Sequence, residues 1–195
     1  TQATAMSISL AGNNIAQIGN DTSQFSITGE GALTLDSTTA GSWNLRNAKT
    51  AAVTSLVDQT YRNLMRDSFS TYTRGAIDAQ DAFKTIYDAH IPNYSVAFPS
   101  YGRFGSELQA AARTIAVRNQ LGLKRSTIFI ELGGWDDHNQ NRTVTLDRLK
   151  QVSQGLYAFQ KALQQEGLED EVVTFVSSDF GRKLPGNGRG SDHAW

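Results

Sequence analysis

The sequence predicts an α/β domain with a mostly parallel sheet and flanking helices, and three observations carry that expectation. Short apolar runs, MSISL at 6–10, STIFIEL at 126–132 and EVVTFVS at 171–177, are separated by long stretches of helical periodicity. The last two runs enclose one such stretch, which is the form of a βαβ crossover joining parallel strands. The most polar loops, GGWDDHN and SDFGR, directly follow these two runs. Open α/β sheets bind ligands at that edge, so both loops are expected to face one crevice.

Taken in order, MSISL alternates weakly and ends at the turn cluster AGNN, so it reads as a short strand. Residues 19–42 are rich in Gly, Ser, Thr and Asp, with β-prone pieces at Phe25–Thr28 and Ala32–Leu35, and are expected to form a loop or hairpin excursion. Apolar positions Val53, Leu56, Val57, Leu64 and Phe69 suit one long helix from Asn47 to about Tyr72. A second helix is expected over Asp78–Ala89, burying Ala82, Phe83, Ile86 and Tyr87. After Pro99, Ser106 and Gln109 have the form of a capping box, and Gly122 can end the helix they open. Leu149, Val152, Leu156, Phe159 and Leu163 form a helical stripe that Gly167 should stop. The crossover then spans 126–177 within a single domain of 1–195, and 178–195 forms a polar site loop.

Composition narrows the function. Lys plus Arg is 18 and Asp plus Glu is 19 in 195 residues, so no basic stripe argues for nucleic acid. Cysteine is absent, which excludes a disulfide framework and a thiolate metal site. No apolar run reaches the roughly 18 residues of a transmembrane helix, and no secretory signal is visible. The chemistry gathers instead at the C-terminal end, where SDFGRKLPGNGRGSDHAW holds four glycines, two arginines, two aspartates and a histidine.

The expected crevice collects Asp136, Asp137 and His138 from one loop, and Asp179 and Arg182 from the other, with Asp192 and His193 ten residues on. Carboxylates and imidazoles without thiolates suit a divalent ion such as zinc, manganese or iron. The planar fork of Arg182 suits phosphate, sulfate or carboxylate, and the glycines at 181, 186, 188 and 190 would let backbone N–H groups approach an anion. Simpler roles stand beside these. Asp137 reads first as a cap for the next helix or a water-facing carboxylate. Trp135 reads as a packing anchor, His90 as a surface or helix-ending residue, and Asn187 and Arg189 as parts of a solvated turn.

The motifs GGWDDH, SDFGR, NGRGSDHAW and the early SISLAGNN resemble the bacterial family grouped as domain of unknown function 1501. Members typically read GGWDTH, then S(D/E)FGR, then NGxGxDHGW, in this order and over most of the chain. Asp137 stands where the family usually has Thr, and Ala194 where it has Gly. That family is similar in turn to the alkaline phosphatase and sulfatase superfamily, whose sheet carries one or two metals at its strand ends. The resemblance implies metal ligands at Asp136, His138, Asp179 and His193, with His193 and Arg182 as catalytic groups. Asp179–Phe180 replaces an Asp-His pair, and the first motif is a short Asp-x-His, so a single metal or a site without catalysis stays open.

By the same resemblance the chain is an internal fragment of an alkaline-phosphatase-like fold, incomplete at both ends. It would come from an exported, periplasmic protein with a twin-arginine signal, its nucleophile lying outside this chain. Ser177, Ser178 and Ser191 have no motif support as nucleophiles. Two functions follow: a metal-dependent hydrolase of phosphate or sulfate esters acting on a small anionic substrate, or a non-catalytic binding or structural protein. An oligomer or a missing segment is expected to cover the exposed sheet edges.

Overall fold

A computed structural model describes residues 6–20, 24–33 and 43–194. The parts of the 19–42 excursion at 21–23 and 34–42, and the terminal Trp195, lie outside the described residues. The chain divides into two compact units, one of residues 1–92 with 113–129, the other of 93–112 with 130–195.

The first unit is built on a small sheet. β1 (Ser7–Ser9) pairs in parallel with both β2 (Gln24–Thr28) and β4 (Thr127–Phe129), while β3 (Gly31–Ala32) folds back antiparallel on β2. The order is β3-β2-β1-β4. The fold is therefore α/β as expected, but its sheet is mixed, not mostly parallel. The hairpin adds its strand antiparallel because a short turn can only reverse the chain. Gly31, at φ +100°, makes that reversal possible, and a Cβ there would lie 2.7 Å from Tyr87 Cε1.

Two helices belong to this unit, α1 (Trp43–Val57) and α2 (Leu64–Ala89). The single helix expected over 47–72 is broken at 58–63, and α2 then runs through Gly75 without interruption. Apolar periodicity continues across the break, but local polar groups stop the ladder. Asn63 Oδ1 accepts from Arg66 N at 3.1 Å as an N-cap, and Asp67 Oδ1 accepts from Tyr61 N at 3.2 Å. α2 presents Phe83 and Tyr87 to the sheet, with Ile86 half-buried and Ala82 exposed. Phe83 lies 5.3 Å from Phe25 and 5.5 Å from Tyr87, ring centre to ring centre. Gln80 ties the helix to the hairpin, donating to Ser26 O and accepting from Leu33 N. Ile8, Leu10, Phe25, Ile27, Phe83 and Tyr87 are the buried apolar centre.

The second unit contains most of α3 (Phe104–Ala116) and all of α4 (Asn141–Gln165). Ser106 does not cap α3; it sits inside the first turn and its hydroxyl donates to Arg103 O. Gly167, at φ +66°, does stop α4. Leu168 N donates to Leu163 O and Gly167 N to Gln164 O, the paired bonds of a Schellman ending. The buried line of α4 is Gln151, Gly155, Ala158, Phe159, Ala162 and Leu163. It is rotated from the Leu149–Val152–Leu156 line, and Leu149 is half exposed. Gly155 sets that rotation, because a Cβ there would stand 2.7 Å from Leu108 Cδ1 and 2.8 Å from Phe104 Cε1.

The run at 171–177 was expected as a second buried strand, yet it carries no ladder. Val173 and Phe175 are 91% and 85% exposed. An extended segment becomes a strand only where a neighbouring backbone supplies partners, and β4 contributes only Thr127–Phe129, in the other unit. The loops at 133–140 and 178–194 are consequently not held by adjacent parallel strands. A two-residue ribbon, β5 (Gly181–Arg182) against β6 (His193–Ala194), and a set of side-chain bonds hold them instead.

Candidate metal centre

Register in the β5–β6 ribbon decides where the site residues fall. Arg182 pairs with His193 and Gly181 with Ala194, while Lys183 N donates to Asp192 O at 3.0 Å. The ribbon closes through the GNGRG turn. Asn187 Oδ1 accepts from Arg189 N and Gly190 N, and Asn187 N donates to Gly190 O. Asn187 Nδ2 then reaches His138 O at 3.1 Å, so this residue is a tie between loops and more than a solvated turn. Gly190 is required at this crossing, since a Cβ would stand 2.5 Å from His138 O.

Arg182 is the second tie. Its guanidinium donates to Ser191 O through Nη1 and to Trp135 O, at 2.6 Å, through Nη2. Two of its five N–H donors are thus committed to backbone carbonyls, and three remain. Trp135 is anchored by its own indole N–H on Leu132 O at 2.6 Å. Asn141, at the start of α4, donates to Ser191 O at 3.3 Å. Nothing in its sequence context marked Asn141 as a site residue; only the folded path brings it to Ser191.

Within this frame three predicted residues meet. Asp136 Oδ1 lies 2.8 Å from His193 Nε2 and 3.1 Å from His138 Nε2. One donor atom from each of the three lies within 4.8 Å of the others, and all three residues are exposed. The two imidazoles stack at 5.1 Å, and Phe180 stacks on His193 at 3.8 Å with 16° between the planes. Arg182 sits over the outer part of this stack, 5.3 Å from the Phe180 ring centre. Asp192 faces the far side of His138, its Oδ1 3.3 Å from Nδ1, and Lys183 Nζ lies 3.9 Å from its other oxygen. Asp179 lies outside the group of three.

Asp137 does something different. Its Oδ1 accepts from Asn139 N at 2.7 Å and Gln140 N at 2.8 Å, the role of a turn before a helix. These two backbone bonds, Gln140 first, hold its carboxyl below the usual aspartate range. Of the three serines without motif support as nucleophiles, Ser178 Oγ donates to Phe180 O, and Ser191 Oγ faces Asn141 Nδ2 at 3.4 Å. Elsewhere in this unit a cavity of about 180 Å³ is lined by Tyr101, Arg103, Glu107, Glu131, Arg148 and Gln151. Burial raises the Glu107 carboxyl above its ordinary range, against the opposing Arg103 charge, and Glu131 adds to the rise.

The donor set, two imidazoles and one carboxylate, suits a divalent ion of intermediate hardness. The donor atoms lie within 4.8 Å of one another, and the two Asp136–imidazole contacts, 2.8 and 3.1 Å, are of hydrogen-bond length. No helix among the described residues is long and apolar enough to cross a membrane. No curated protein and no solved structure matches the chain. The family model described as "Protein of unknown function (DUF1501)" matches residues 9–195, and the chain belongs to that family.

Proposed function

We propose that this chain carries the metal-binding part of a hydrolase acting on phosphate or sulfate esters, with Asp136, His138 and His193 holding a single zinc, manganese or iron ion. The observation that supports the reading most is the convergence of one carboxylate oxygen and two Nε2 atoms on one spot from loops 55 residues apart, since His138 and His193 share no local structure. A divalent ion bound there would polarise an ester oxygen and lower the pKa of an attacking water. The residues supply the rest. Asp136 brings negative charge to the centre and accepts from both imidazoles when no ion is present. Arg182 fixes the loops around Trp135 and Ser191 and keeps a positive charge with three spare donors at the rim, suited to an anionic substrate oxygen. Asp179 stays in the proposal as a further ligand.

The engagement of Ser178 and Ser191 favours a second reading, a non-catalytic binding protein on the same frame. Zinc titration by calorimetry, with p-nitrophenyl phosphate and sulfate assays, separates the two. The hydrolase reading expects one ion per chain and turnover that His193→Ala reduces at least tenfold. One ion without turnover leaves the binding protein. Absence of zinc, manganese and iron binding overturns the metal centre itself.

A further inference from the structure

A cavity whose lining balances its own charges favours a ligand that carries none. The second unit holds such a cavity, of about 180 Å³, bordered by the first turn of α3, residues 131–133 and α4. Two arginines, Arg103 and Arg148, and two glutamates, Glu107 and Glu131, line it, and none of the three converging donors does. Glu107 is only 2% exposed, and its ion-pair neighbour Arg103 Nε, 3.5 Å away, is beyond good hydrogen-bond length. Arg148 donates through Nη1 to Gln151 Oε1 at 3.3 Å, while its Nε–H is buried without an acceptor. Gly134 leaves the room this guanidinium occupies, since a Cβ there would stand 2.5 Å from Arg148 Nη2. A buried donor of this kind is left for an acceptor that the chain does not supply.

We propose that this cavity binds one ring of an uncharged carbohydrate, with Arg148 and Glu107 holding its hydroxyls and Tyr101 covering a ring face. A hydroxyl both donates and accepts. It accepts from Arg148 Nε and donates to Glu107, or accepts from Glu107 when that carboxyl, raised by burial, keeps its proton. An anion would meet Glu107 and Glu131, and a cation would meet Arg103 and Arg148. A zwitterion needs the two signs held apart, whereas Arg103 and Glu107 stand side by side. Room is sufficient, because a cavity of about 150 Å³ takes a six-membered ring. Tyr101, 48% exposed, also borders a second cavity of about 400 Å³ with Phe98, Pro99, Gln154 and Tyr157. Aromatic rings offer flat apolar area to the C–H face of a sugar, so the second cavity takes the neighbouring sugar unit. None of this uses the metal, and the inference stands or falls apart from the hydrolase reading.

The test titrates the whole ¹⁵N-labelled chain with glucose, galactose and mannose, and with maltose, cellobiose and lactose. Binding is read at the Arg148 Nε–H signal and at the Gly102 and Gly133 amides, which border the cavity. At least one sugar should shift all three signals, and a disaccharide should bind more tightly than its monosaccharide. Arg148→Met should weaken binding about tenfold, the loss of one hydrogen bond from a charged group. Tyr101→Ala should weaken the disaccharide more than the monosaccharide. Tyr101 is half exposed, so this variant keeps the fold even where Arg148→Met does not. Silence of the three signals toward every sugar overturns the proposal. A response to phosphate or glycine in place of the sugars also overturns it, because the lining would then be selecting charge. Sugar affinity unchanged by both substitutions places binding elsewhere and overturns it as well.

Discussion

Asp136 and Asp137 are neighbours with opposite assignments, and the difference comes from what each carboxylate accepts. Asp136 takes two imidazoles, whereas Asp137 takes two backbone N–H groups just before α4. A local role for Asp137 was legible in the sequence, but its bonds close a turn ahead of α4 and do not cap it, the N-cap Gln140 having no side-chain cap bond. The meeting of Asp136 with His193 was expected only from the strand-end crevice and the family motifs, since no local pattern links residues 57 positions apart. Asp137 carries a pH dependence. Its folded pKa is depressed, so its contribution is present above the unfolded value of about 3.9 and is lost as pH falls through the folded value. Asp137→Asn keeps an acceptor but not the charge. In urea unfolding from pH 7 to pH 2.5, the wild type should be the more stable near neutrality and the gap should close below about pH 4. A gap independent of pH would contradict this.

At the level of elements, periodicity located the helices and failed at their ends. The break at 58–63 contains no glycine or proline; Asn63 within it and Asp67 in the first turn of α2 take up backbone N–H groups there. Gly167 was readable because a left-handed residue leaves a recognisable mark, and Ser106 misled because its hydroxyl turned back to Arg103 O. α3 also buries an acid, Glu107, which is only 2% exposed and has Arg103 Nε 3.5 Å away. Its folded pKa is raised, so the folded state holds the proton above the unfolded value of about 4.3, and stability falls as pH rises from there through the folded value. Glu107→Gln should abolish this decline. Melting temperatures should match the wild type at pH 4 and exceed it at pH 7. A variant less stable at pH 7 would show that the ion pair with Arg103 outweighs the burial.

Across the whole molecule, the chain divides into two compact units, each considered by itself. The centre of the first depends on Phe83, fully buried between Phe25 and Tyr87. Phe83→Ala should cost about 3–5 kcal/mol, read as a lower denaturant midpoint in fluorescence or circular dichroism. A loss under 1 kcal/mol would mean that the sheet and α2 do not depend on this contact. The mixed sheet belongs to the same scale. Strand tendency was visible in EVVTFVS, but a ladder needs a second backbone, and none among the described residues pairs with it.

By itself the sequence determined the α/β class, the positions of the main helical stretches, the stop at Gly167, the family through its ordered motifs, and the residue types able to hold a metal. Those properties are local: propensity, periodicity and spacing act over a few residues. The tertiary structure decided which candidates meet. Asp136, His138 and His193 converge, Asp192 turns to the outer edge of His138, and Arg182 clasps two carbonyls. Such contacts depend on how distant loops are tied together, here by Asn141, Asn187 and a two-residue ribbon. No pattern along the chain encodes a hydrogen bond between residues fifty positions apart until the backbone between them has been folded.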